Sequence, residues 1–162
     1  ASGAILTLAS QSGMAAVVCA SPSGSLSNTH ASHTPAATAC GGVSPGYWKT
    51  HPEDWPKAFT LPTALFSSIF SVTALCDKLG PCTLAMIVDP QGPPKGADKD
   101  NVAMHIVATL LNVRSGKISF LTEAKVLGIW TEYSKNLSYV PTAGAAAWDG
   151  AKLVLYLQST MI

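Results

Sequence analysis

Tyr47, Trp48, His51 and Trp55 stand close together in the run Gly46-Tyr47-Trp48-Lys49-Thr50-His51-Pro52-Glu53-Asp54-Trp55-Pro56. Aromatic rings beside an imidazole and two carboxylates are the materials of a carbohydrate or metal site, with Glu53 or Asp54 as an added ligand. The same residues also suit a plug. Tyr and Trp bury large areas while keeping a polar handle, so a cluster of them can seal one end of a small core, with Lys49 and the acids at its solvated rim. The plug is the plainer reading, and the site is its rival.

Four cysteines fall into two sequence-local couples, Cys19 with Cys40 and Cys76 with Cys82. The Gly80-Pro81 turn brings the ends of the second couple together, and the first would clip a Ser/Thr-rich span. Two disulfides are expected, which implies export to an oxidising compartment; three pairings are possible in principle, and the alternative is four reduced buried thiols in a cytosolic protein. Zinc is disfavoured because there is no C-x-x-C and the histidines are dispersed. Other chemistry-bearing groups read more plainly. His30 and His33 lie in a Ser/Thr/Ala/Pro stretch with no third ligand nearby. Asp89, Asp98 and Asp100 miss the spacing of a calcium loop, so helix capping is the expected task of Asp98 or Asp100. His105 has no assignable nucleophile. No G-x-S-x-G, H-E-x-x-H, G-x-G-x-x-G or P-loop is present, so no cofactor and no catalytic residue is assigned, and an enzyme such as a hydrolase is the remote alternative.

The run Pro45-Gly46-Tyr47-Trp48-Lys49-Thr50-His51-Pro52 resembles the Gly-Tyr-Trp-Lys-x-His-Pro motif of a loosely defined group of secreted or surface-associated bacterial proteins. Pro141-Thr142-Ala143-Gly144 and the closing Leu157-Gln158-Ser159-Thr160-Met161 are similar to that group's carboxy-terminal part. The resemblance covers about residues 42–161 and implies export. It brings no biochemical activity with it.

The elements that must position these residues divide at the motif. Lys49 is the first charged residue, and all ten basic and nine acidic side chains lie from it onward. A net charge of +1 with a single arginine gives no basic stripe, which argues against nucleic acid as a partner. Charged residues make up 12%, a surface weakly protected from self-contact. The apolar stretch from Ala4 is interrupted at Ser10–Gly13, short of the ~20 residues a spanning helix needs, so no membrane span is expected.

Residues 1–45 read as an uncharged arm. Ala4–Ala9 and Met14–Cys19 are strand-length, free of Pro and bounded by turn formers. Ile5, Leu6, Leu8, Met14, Val17 and Val18 make both strands apolar on both faces, so they need cover on two sides, either from their own body as an ordinary intramolecular sheet or from a neighbouring copy by strand addition. Residues 21–38 read as an extended linker. Residues 46–162 read as a helical body. Helices are expected from Thr60-Leu61-Pro62 with Leu65, Phe66, Ile69 and Phe70 on one face, and over Val102–Leu111 with a Ser115-Gly116 stop. Two more are expected after a Thr122 cap, burying Val126, Trp130 and Tyr133, and over Ala143–Met161. Leu84–Val88 fits a helix or a strand.

The expected fold is therefore mainly α, a small disulfide-stapled helical domain with an amino-terminal extended β arm. The expected function is that of a secreted structural subunit whose partners are copies of itself, joined head to tail through the arm into a filament. Burying on the order of 500 Å² of arm surface at ~25 cal/mol/Å² would contribute about 12 kcal/mol before ordering costs. The rival is a monomeric secreted binding module using Tyr47, Trp48 and His51 for carbohydrate or metal.

Overall fold

The computed structural model describes residues 19–26, 40–57 and 62–162. The described chain is mainly α. In order it forms α1 (Pro22–Leu26), α2 (Pro45–Thr50), α3 (Leu84–Ile87), α4 (Val102–Arg114), α5 (Glu123–Asn136) and α6 (Gly150–Ser159), with short 3-10 turns between them. The two expected arm strands up to Val18, with Ile5, Leu6, Leu8, Met14, Val17 and Val18, lie outside the described residues, as do His30 and His33.

α4 is the axis of the body. Its residues from Val102 to Asn112 are buried but for Met104, and it packs against α2, α3, α5 and α6. A helix apolar nearly all round has to be enclosed in this way. Its first turn is capped by Asp98, whose Oδ1 and Oδ2 accept from the Ala103 and Met104 N–H groups at 2.8 and 2.9 Å. The chain reaches that cap through Asp100 and Asn101, both left-handed at φ 58° and 59°, a region these short polar side chains tolerate. Ser115 and left-handed Gly116 end the helix. α5 starts where expected, with Thr122 Oγ1 accepting from Lys125 N–H at 3.1 Å, and buries Val126, Ile129, Trp130 and Tyr133. α6 is capped by Asp149.

Several expectations are corrected. Among the described residues, which resume at 62, the helix expected from Thr60 is only a 3-10 turn at Phe66–Ser68. Leu65 is extended and bridges Thr83, Phe66 N–H donates to the Cys82 carbonyl, and Leu84 N–H donates to Ala64, so these donors cross to a second segment instead of climbing a helix. Phe66 still reaches the core, stacked on Phe70 at 4.7 Å and edge-on to Trp130 at 5.2 Å, whereas Leu65 is exposed. The last helix begins at Gly150 and not at Ala143, because Tyr139 and Trp148 pair as an antiparallel bridge and hold the intervening residues in a turn. Within the expected linker, residues 22–26 are helical, Ser25 N–H returning to the Ser21 carbonyl at 2.8 Å.

Of the four cysteines, Cys19 and Cys40 form a disulfide, whereas Cys76 and Cys82 are buried free thiols. The expected second bridge is replaced by backbone bonds. Leu79 N–H donates to Cys76 and Cys82 N–H to Leu79, closing the loop around a 3-10 turn. Each sulfur has its own local partner: Thr73 N–H donates to Cys76 Sγ, and Cys82 Sγ donates to the Lys78 carbonyl. The two thiols pack as small apolar side chains.

Candidate functional site

The aromatic motif is built on α2. Ser44 Oγ accepts from Tyr47 N–H, and Pro45 supplies the first helical position, where its missing donor costs nothing. Pro52 then stops the helix and starts the 3-10 turn Pro52–Asp54. The turn folds Trp55 back beneath α2, where its Nε1 donates to the Trp48 carbonyl at 2.9 Å. Trp48 is fully buried, and Trp55 meets it edge-on at 6.5 Å.

Tyr47 and His51 lie nearer the surface, one helical turn apart. Their rings stack at 4.1 Å, nearly parallel, and Lys117 Nζ lies over the Tyr47 ring 5.5 Å from its centroid. The Tyr47 hydroxyl donates to Asp54, a bond that raises the phenol above its ordinary pKa. His51 Nδ1 is 2.9 Å from both the Tyr47 carbonyl and Thr50 Oγ1. The motif residues are thus brought together as expected, but they satisfy one another. Two tryptophans are interior, the tyrosine ring is covered by an imidazole, and one of the two candidate ligand carboxylates is committed to the phenol. Among the described residues, no group of three or more His, Cys, Asp or Glu side chains is placed to hold a metal ion.

The residue that fixes the plug was not foreseen from sequence. Asn112, fully buried on α4, accepts from Trp48 Nε1 at 3.2 Å and from Val43 N–H at 3.0 Å through Oδ1, while its Nδ2 donates to the Val43 carbonyl at 3.0 Å. Its amide imitates a neighbouring strand for Val43. On the adjoining residue, Gly42 N–H donates to Thr160 and Ile162 N–H donates to Gly42, a parallel bridge to the last residues of the body. The fit leaves no room for side chains at the two glycines. A Cβ on Gly41 would lie 2.4 Å from the Lys117 carbonyl, and one on Gly42 would lie 2.4 Å from that of Thr160.

Cys40 therefore emerges from a clamped segment, and its disulfide carries the anchorage to Cys19. On that side Tyr156 Oη donates to the Ala20 carbonyl at 2.6 Å and Pro22 is buried. Both ends of the span closed by the disulfide are tied to the body, and residues 1–18 precede a fixed point.

The remaining candidates are accounted for by structure. His105 is buried on α4 with Nδ1 2.8 Å from the Asn101 carbonyl, and burial lowers its pKa. Lys49 pairs with Asp89 at 3.2 Å across an exposed rim. Beside that pair is a cleft of about 570 Å³ bordered by Pro90, Pro93, Asn101 and Met104, with the capping Asp98 in its wall. Burial pushes the Asp98 carboxyl up to about 6 against the pull of its two backbone donors. No described helix is long and apolar enough to cross a membrane. Comparison of the chain with family models, with curated proteins and with solved structures finds no match.

Proposed function

We propose that this chain is a secreted structural subunit that associates with copies of itself, head to tail, through its amino-terminal segment. The observation that carries the reading is the fixed root of that segment: the Cys19–Cys40 disulfide, the Asn112 clamp on Val43 and the Tyr156 bond to Ala20. A segment meant to bind elsewhere loses less entropy on docking when its base is already immobile. The disulfide is in keeping with an oxidising compartment. The uncharged composition of residues 1–18 adds support, since such a segment carries none of the charges that discourage pairing between chains. The rival binding module loses support because the rings it would use are buried or stacked.

The test is sedimentation of the full chain over a range of concentrations, beside the variant Leu6→Asp/Leu8→Asp, with both samples imaged by negative-stain microscopy. Concentration-dependent polymers are expected from the parent and monomers of unchanged melting temperature from the variant. A parent that stays monomeric to ~100 μM, a loading that reveals even micromolar association, refutes the proposal.

A further inference from the structure

The cleft of about 570 Å³ beside the Lys49–Asp89 pair is of the size that holds small molecules. One wall is the loop 89–96, and the other is formed by Asp98, Asn101 and Met104 at the start of α4. The loop is stiff. Pro90, Pro93 and Pro94 fix three of its φ angles, and Asp89 Oδ1 accepts from Gln91 N–H at 2.9 Å. Gly92 lies so close to α3 that a Cβ there would be 2.1 Å from the Met86 carbonyl oxygen. A cleft with such a wall needs little ordering when a ligand enters.

The charges around it are unevenly matched. Asp89 has Lys49, whereas Asp98 has no Lys, Arg or His within ion-pair distance among the described residues. The Asp98 oxygens accept one N–H each, from Ala103 and Met104, about half of what a carboxylate can accept. The helix end that it caps returns only roughly half a unit of positive charge, and Asp100 close by adds a negative one. Asp98 thus brings to the cleft wall a carboxylate with acceptor sites to spare and no counter-ion.

We propose that this cleft binds a small primary amine, whose ammonium group donates to Asp98 and whose alkyl chain lies against Pro90, Pro93 and Met104. The inference is independent of self-association. A metal ion fits less well, because among the described residues no three His, Cys, Asp or Glu side chains are grouped to hold one. A quaternary ammonium fits less well, because no aromatic ring lines the cleft. Lys95 in the lining disfavours a second positive charge on the ligand. A primary ammonium both supplies the missing counter-charge and donates hydrogen bonds, and the thioether of Met104 can adjust to the chain that follows it.

The test is a saturation-transfer NMR titration of n-hexylamine against the full chain at pH 7.5, with n-hexanol as the uncharged ligand of equal length. Saturable binding with a Kd of about 1 mM or tighter is expected for the amine, and binding at least about tenfold weaker for the alcohol. Asp98→Asn keeps the shape of the side chain and should weaken amine binding by about tenfold or more. A second measurement needs no variant. At pH 5 the amine is still cationic, Lys49 and Lys95 are still charged, and Asp89 is held ionised by the Gln91 N–H and by Lys49. Asp98, titrating at about 6, has by then lost about nine-tenths of its charge, so binding by the parent should fall about tenfold from pH 7.5 to pH 5. In a folded Asp98→Asn chain that dependence should vanish, which separates Asp98 from His105. Absence of saturable binding, hexanol bound as tightly as hexylamine, or affinity in the parent that is the same at both pH values overturns the proposal.

Discussion

Replacing Asn112 with Leu tests the idea that one buried amide holds the backbone at Val43 and the aromatic plug together. The two side chains are close in size, so the substitution removes polarity with little cavity. It leaves the Val43 N–H, the Val43 carbonyl and Trp48 Nε1 without the partner that now meets them at 3.0, 3.0 and 3.2 Å. A buried donor or acceptor left unsatisfied costs about 1–3 kcal/mol. Val43 is half-buried and can recover part of its loss from water, whereas Trp48 cannot. The expected destabilisation is therefore about 3–5 kcal/mol, a large share of the ~5–15 kcal/mol of an ordinary domain. Urea unfolding followed by tryptophan fluorescence measures it, and amide exchange locates it. The Val43 amide and the Trp48 indole N–H should lose protection, while the middle of α5 should change only with global stability. A loss under about 1 kcal/mol, or exchange that leaves Val43 protected, refutes the reasoning.

Two further predictions concern titration and sulfur. Asp98 has its folded pKa raised to about 6, above the unfolded ~3.9, so its protonated form is the one the fold favours. Its contribution to stability is full below pH ~4 and is lost as pH rises to about 6, with an upper bound of about 3 kcal/mol, nearer 1–2 after allowing for its partial exposure. Asp98→Asn should flatten that part of the stability curve, and a carboxyl resonance titrating at or below pH 4 would contradict it. Cys19→Ser/Cys40→Ser opens a loop of 21-residue separation and should cost about 3 kcal/mol in urea unfolding, with no loss refuting the anchoring role. In the same experiment a thiol reagent should find no reactive cysteine in the folded parent and two after unfolding; an intact second bridge on mass mapping would show the Cys76 and Cys82 environments to be misread.

What could be read in advance was local. The stripe from Val102 to Leu111 implies a helix and its burial, Thr122 implies a cap three residues before the N–H it accepts, and Ser115-Gly116 implies a stop. What escaped depends on distant partners. The apolar spacing at Leu65, Phe66, Ile69 and Phe70 fits a helix, yet Phe66 spends its N–H on Cys82 and leaves Leu65 in solvent. The gap between Cys76 and Cys82 suits a bridge, yet a 3-10 turn closes it with main-chain bonds. For the plug, Tyr47, Trp48, His51 and Trp55 announce their own clustering. Asn112, a lone amide after Leu110-Leu111, is the signal that something polar must reach the middle of the body, and no local pattern says that its partners are Val43 and Trp48.

The pairing of Gly42 with Met161 joins positions about 120 residues apart and fastens the base of the amino-terminal segment to the backbone just past α6. Closing so long a loop is entropically costly and comes after the local helices have formed. During synthesis the base has no strand to lie against until residues 160–162 have been made. If the proposed self-association depends on that seat, it becomes possible only after residues 160–162 have been made and folded back.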